Sequence, residues 1–224
     1  MASVTIDFRS PAEPLRRYIS TYNEMTVTDG PVQDLLHPEW ANIRMSLDNP
    51  WIFESRLQGR VEPGAAIIHG PTSTATRVEG QGQAFGIGIL PTGWNRLWRK
   101  DAAQFADQLL PLETLLAEDA AELTAHLLDA PNLDARAALA DAFLLKRLEQ
   151  SVRSPFDQQV DAFFQVLSDP ASASVEQITA TLGLPQSRLA RLAKRGFGFP
   201  PKLLLKRQRF LRMLGTLHAR PYSE

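Results

Sequence analysis

The sequence predicts an α+β chain in three parts. A β-rich domain, a small barrel or sandwich, is expected over residues 1–100. A helical connector follows over 101–155, and an all-α helix-turn-helix domain over 156–224. Three observations predict this. Short alternating segments recur between turn signals up to Leu90. Leucines then fall on helical spacing between Asp101 and Ser151. Finally, Ser174–Lys202 reads as two short helices joined by a tight turn.

In chain order, Val4–Phe8 alternates and reads as a strand. Pro11 and Pro14 frame a short helix over Leu15–Ser20. Strands are expected at Tyr22–Val27, Val32–Leu36, Ile43–Leu47, Trp51–Ser55, Ala65–His69, Thr74–Val78 and Ala84–Leu90. Turn signals separate them at Asp29-Gly30-Pro31, Asp48-Asn49-Pro50, Glu62-Pro63-Gly64, Gly70-Pro71 and Gly80-Gln81-Gly82. Gly86-x-Gly88 lies inside a strand pattern, where glycine permits close backbone approach. Asp101–Leu110, Glu113–Leu128 and Asp134–Ser151 read as amphipathic helices, punctuated by Pro111, Pro131 and Pro155. They either pack on the β domain or expose an apolar face for a homodimer through 101–151. Phe156–Leu167 opens the C-terminal domain.

Ser174 is placed to cap the next helix, with Gln177 as its capping-box partner. Val175, Ile178 and Leu182 share one face, and Gly183 suits the left-handed position that ends such a helix. Leu184 is the expected plug, and a second helix starts near Pro185 or Gln186. Leu189 and Leu192 point inward. Ser187, Arg188, Arg191, Lys194 and Arg195 are left outward, the pattern of a helix that enters the major groove. Charge agrees: Gln177–Ser223 holds ten Lys/Arg and no Asp/Glu, whereas residues up to Glu176 hold fourteen and twenty-four. A near-neutral chain thus joins a basic module to an acidic body, the footprint of a phosphate-binding surface. Arg191 is the candidate for a base contact, because its fork matches guanine. Gln186, Ser187 and Arg188 begin the same helix. Lys194, Arg195, Lys202 and Arg207 are candidates for phosphates.

The run Gly183-Leu184, Leu189-x-Arg191-Leu192-x-Lys194-Arg195, Phe197-Gly198-Phe199 and Pro201-Lys202 resembles the DNA-binding domain of AraC/XylS-type transcription regulators. Lys206–Phe210 and Leu211–Leu214 fit the long helix that links two such motifs in that family. The resemblance covers about fifty residues. It implies a regulator that binds double-stranded DNA and a cupin-like sensor domain for a small-molecule effector. Departures are Thr179 for Ala, Pro185 for a Ser cap, Ala193 for Phe, and Ala190 at a base-facing position. Only Gly215–Glu224 follow the long helix, too few for a second motif, so the expectation is either a truncated form or a half-reader with one motif.

Other chemistry finds little support. There is no cysteine, and no apolar run approaches the roughly 20 residues of a membrane span. The N-terminus lacks a signal peptide's apolar region, so a cytoplasmic protein is the expectation. His37, His69, His126 and His218 are not at metal-ligand spacing, and neither metal nor other cofactor is expected. No nucleophile elbow or phosphate loop is present, and the expectation is not an enzyme. The aromatic N-terminal domain suggests an apolar ligand pocket built from Trp40, Trp51 and Trp94, with Arg44 or His69 as polar handle. The rival readings are a small-molecule binding module or a cupin-like enzyme, each with a vestigial basic tail.

Overall fold

The computed structural model describes residues 2–62, 64–172 and 174–218, with side chains described as far as Leu214. The turn centred on Pro63, the side chain of His218 and the last six residues lie outside the described residues. The fold class is the expected α+β.

Among the described residues, eight strands form one antiparallel sheet: β1 (Ser3–Arg9), β2 (Ile19–Leu36), β3 (Asn42–Ser46), β4 (Ile52–Ser55), β5 (Gly59–Val61), β6 (Ala66–His69), β7 (Thr76–Ile89) and β8 (Leu109–Pro111). The order is β1-β2-β7-β3-β6-β8, with β4 also on β7 and β5 on β4. Two pairs of expected strands are each one long strand. Asp29-Gly30-Pro31 is a bulge within β2, with Asp29 and Gly30 at positive φ, rather than a hairpin turn. Gly80-Gln81-Gly82 passes through β7 opposite that bulge, since Val27 pairs with Gly82 and Val32 with Gly80. A bulge bends and twists its strand, which curls the sheet. Gly86 and Gly88 do allow close approach: a Cβ would stand 2.8 Å from Asn23 Oδ1 and 2.2 Å from Ser20 Oγ respectively.

The segment read as a helix over 101–110 is a short 3₁₀ turn, Ala102–Gln104, followed by β8. Asp107 breaks the helix at φ 57°, and its carboxylate accepts from Ser73 N–H at 2.6 Å and Ser73 Oγ at 2.7 Å. Leu109 and Leu110 then complete the sheet beside β6. The short helix expected at 15–20 is likewise a 3₁₀ turn, Glu13–Leu15, because Ile19 already belongs to β2. Helix α1 (Pro91–Gly93) runs into a π-helical turn over Trp94–Trp98.

Helices α2 (Glu113–Leu116), α3 (Asp119–Asp129) and α4 (Leu133–Gln150) lie on the sheet. Leu112, Leu115, Leu116, Leu123, Leu127 and Leu144 share one core with Ile19, Ile43, Ile68, Phe85, Ile87 and Ile89. The connector therefore buries its apolar stripe against the β unit. Buried Arg136 ties α4 to β2 through Glu24, at 2.7 Å, and Asp141 accepts from Tyr22 Oη at 2.6 Å. Ala117, at φ 52° and ψ −122°, splits the one helix expected over 113–128, so that the leucines of both halves reach the core.

The remaining helices are α5 (Pro155–Ser168), α6 (Val175–Leu182), α7 (Gln186–Phe197) and α8 (Pro201–His218). Their core is Val160, Phe163, Leu167, Ile178, Leu189, Leu192, Ala193, Phe197, Leu204 and Leu205. Ala193 is fully buried in this core, where the rings of Phe163 and Phe197 meet with centroids 4.8 Å apart.

The Ala117 backbone costs a residue with a Cβ about 1 kcal/mol or more. Ala117→Gly is therefore expected to stabilise the chain by about 1 kcal/mol, raising Tm by roughly 2–4 °C. Calorimetry on the two chains checks it, and an unchanged or lower Tm contradicts the assignment of strain.

Candidate DNA interface and effector cavity

The second helix of the helical unit is positioned by local chemistry. Ser174 Oγ accepts from Gln177 N–H at 3.2 Å, and Gln177 Oε1 accepts from Ser174 N–H at 3.0 Å, a closed capping box. Gly183 takes the left-handed conformation at φ 62°, and its N–H bonds to Ala180 O. Thr179 Oγ1 donates to Glu176 O at 2.8 Å, which satisfies the hydroxyl within α6. Pro185 precedes α7 without a side-chain cap. At the far end Gly198 turns the chain at φ 87°.

Gln186, Ser187, Arg188, Arg191, Lys194 and Arg195 are all exposed on α7, and Lys202 is exposed on the first turn of α8. None of these basic residues forms an ion pair among the described residues. Arg195 lies over the Phe156 ring at 4.4 Å, which holds its stem while the residue stays exposed.

Arg207, expected at a phosphate, is elsewhere. It is 4 % exposed and lies 3.6 Å from the centroid of the Trp40 ring, at the junction of the two units. Position 207 shares a face of α8 with buried Leu204, so helical periodicity turns it inward. None of its three guanidinium nitrogens has a hydrogen-bond partner among the described residues. Burial pulls its pKa down to about 9, while the Glu39 and Asp107 carboxylates act in the opposite sense.

The junction is extensive. Trp40 meets Phe164 and Phe197 edge-on, with centroids 5.8 and 5.9 Å away. His37 meets Phe210 at 6.0 Å. Asn95 Nδ2 donates to Gly196 O at 3.0 Å, and Arg17 reaches Asp161 at 2.5 Å. A Cβ on Gly198 would stand 2.9 Å from Pro71, so the α7 end abuts the β unit closely. These contacts hold the inner side of the helical unit and leave the basic side of α7 outward.

The curled sheet forms an open-sided cavity of about 240 Å³. Ile6 and Phe8 of β1 and Ile67 of β6 line it together, although those strands lie far apart in the sheet order. Met25, Trp51, Phe53, Val78 and Phe85 make most of the wall apolar; Asn23, Asn42, Arg44, Ser46 and Glu39 are its polar groups. Of the five expected pocket residues, Arg44 and Trp51 line it. Trp40 is at the junction of the two units. Trp94 is in the sheet–helix core, its Nε1–H donating to Lys100 O at 2.9 Å. His69 is fully buried against Phe53, with Nδ1 3.8 Å from Glu39. Glu39, Asn23 and Asn42 escaped the sequence reading. Polar Asn42, Arg44 and Ser46, alternating with apolar Ile43 and Met45, were the available signal.

Among the described residues no group of three or more His, Cys, Asp or Glu could hold a metal, and no helix is long and apolar enough to cross a membrane.

No family model and no curated protein matches the chain. Solved structures similar to it include an AraC-like transcriptional activator, CuxR, at 12 % identity and TM-score 0.37, covering 94 % of this chain and 86 % of that one. Apo ToxT from Vibrio cholerae, in a variant form, is similar at 9 % identity and TM-score 0.46, covering 99 % and 84 %. A second ToxT crystal form gives 8 % and 0.45, covering 99 % and 85 %. At these identities and scores the likeness assigns no function.

Burial drives the His69 pKa down to about 3, with the Arg44 charge acting in the same direction. The unfolded chain therefore binds a proton at His69 that the folded chain refuses, and stability is lost as pH falls from about 6.5 toward 3. His69→Leu is expected to flatten this acid limb. Denaturant titrations between pH 7 and 4 check it: the wild type should lose more stability than the variant over that range, and parallel curves contradict it.

Proposed function

We propose that the chain is a sequence-specific, double-stranded-DNA-binding transcription regulator of the AraC/XylS type, without catalytic activity, whose curled sheet houses a small-molecule effector. The observation that carries the reading is the outward face of α7: Arg188, Arg191 and Lys194 stand exposed, with no acidic partner among the described residues, on the second helix of a helix-turn-helix. Such a basic face is the electrostatic footprint expected of a surface that binds phosphates.

Arg191 reads a base, Gln186, Ser187 and Arg188 flank it, and Lys194, Arg195 and Lys202 hold phosphates. Arg207 has no part in this surface while the two units are docked. The cavity supports the effector half of the proposal: it is mainly apolar and has a few convergent polar groups, as ligand sites do. A homodimer would use the outer side of α3 and α4, where Leu139 and Phe143 are half-buried.

Arg191→Ala is expected to cost roughly 1–3 kcal/mol against a selected site and to flatten sequence preference. Lys194→Ala should weaken all duplexes alike and reduce the salt slope by about one. Site selection from random duplexes, followed by titration at several salt concentrations, decides between these roles. An Arg191→Ala chain with intact preference contradicts the base contact, and a wild-type chain that retains no duplex contradicts the proposal.

A further inference from the structure

Five arginines of the body each have a carboxylate of their own: Arg9 with Asp134, Arg44 with Glu39, Arg60 with Glu79, Arg136 with Glu24 and Arg147 with Asp119. Around the linker between α4 and α5, residues 151–154, the basic residues are kept differently. Arg17 and Arg153 share one carboxylate: Asp161 Oδ2 accepts from both, at 2.5 Å each. Arg96 donates to Ser151 Oγ and Leu148 O, and Arg99 donates to Val152 O, so their hydrogen bonds go to neutral groups. Of the acids nearby, Asp157 is buried on Ser154 and Asp101 is turned to Ala103 N–H. Glu13 and Glu149, exposed close by in the chain, form no ion pair with these cations. Arg99 and Lys100 therefore stand exposed with no acidic partner among the described residues, and Arg153 with a shared one.

This cluster borders the end of α7. Asn95, next to Arg96, donates to Gly196 O at 3.0 Å. A Cβ on Gly196 would stand 3.0 Å from Val160 Cγ2 and 3.8 Å from Phe156 Cζ. The Arg195 guanidinium lies over that same Phe156 ring, 4.4 Å from its centroid. Phe156 is three residues from Arg153, so their Cα atoms are at most about 11 Å apart. One turn of duplex is about 34 Å long and carries a phosphate charge every ~1.7 Å. A backbone that passes Arg195 therefore has phosphates within reach of the linker. Arg99 itself ends the π-helical turn in the left-handed conformation, at φ 54° and ψ 24°. Glycine takes that conformation without cost, yet the chain keeps a long cation there.

We propose that Arg99, Lys100 and Arg153 form a second phosphate-binding surface, joined to α7 through Arg195, that grips the duplex backbone beside the base pairs α7 reads. This rests on the reading of α7 as the recognition helix. Arg96 and Arg17 position the surface, the first by holding the linker and the second by sharing Asp161. The contact adds affinity and no sequence information, because phosphates are the same at every base pair. It supplies from the body part of what a single reading motif lacks.

The test titrates the full chain, at several salt concentrations, with a selected duplex extended on both sides of the read base pairs. Arg99→Gln combined with Lys100→Gln is expected to lower the salt slope by about two, and the affinity roughly 10–100-fold near 0.1 M salt, for selected and random duplexes alike. Arg99→Lys keeps the charge and gives up the fork that holds Val152 O; it should leave the slope as it is. On a duplex cut back to the base pairs under α7, the double variant and the wild type should bind alike. If the double variant does not fold, Lys100→Gln alone serves, with a slope loss of about one. An unchanged slope overturns the proposal. An equal loss in Arg99→Lys, or an equal loss on the short duplex, overturns it as well. A wild-type chain that binds and selects duplexes, with the slope undiminished in the variant, overturns this surface alone. A wild-type chain that retains no duplex overturns the reading of α7, and this surface with it.

Discussion

The arrangement of this protein depends on Trp40. The loop after β2 carries this indole out of the β unit and sets it among Phe164, Phe197 and the Arg207 guanidinium. Aromatic pairs at these separations contribute about 0.5–1.5 kcal/mol each beyond the area they bury, and a desolvated cation–π contact adds up to about 2 kcal/mol. The polar contacts of Asn95 with Gly196 and of Arg17 with Asp161 flank that centre. Together they fix which side of the helical unit faces the sheet.

From that constraint the rest follows. With the inner side of α5, α7 and α8 committed to the β unit, the basic side of α7 is the side left to solvent. Glu39 precedes Trp40 in the same loop, so the cavity and the helical core meet within two consecutive residues. The connector completes the body by closing the opposite side of the sheet with leucines, and its last strand, β8, extends that sheet beyond residue 100.

Legibility in the sequence divided along the range of the interactions. The α6–turn–α7 unit was legible to within a residue or two, because its determinants are local: Ser174 with Gln177, Gly183, and the Leu189/Leu192 pair. The number of strands was less so. Asp29-Gly30-Pro31 and Gly80-Gln81-Gly82 carry turn chemistry, yet sit opposite each other inside continuous strands, and only their pairing shows it. Asp101–Leu110 has helical spacing, but Asp107 finds a partner in Ser73 that no local rule reveals. The cavity was legible in composition and not in position. Arg44 and Trp51 reached it, whereas Trp40, Trp94 and His69 went to a junction and to the core. Arg207 shows the same limit, since a basic helix face reads as solvated until an aromatic side chain from another domain covers it.

The central claim is that the docked body presents α7 as its working surface. Amide hydrogen exchange of the whole chain, with and without a random-sequence duplex at low salt, tests this most directly. The account predicts DNA-dependent protection concentrated in α6, α7 and the first turn of α8, fading as salt rises, with the strands of the curled sheet unchanged. Protection centred on the sheet or on α3 and α4, or none at any salt, would contradict it.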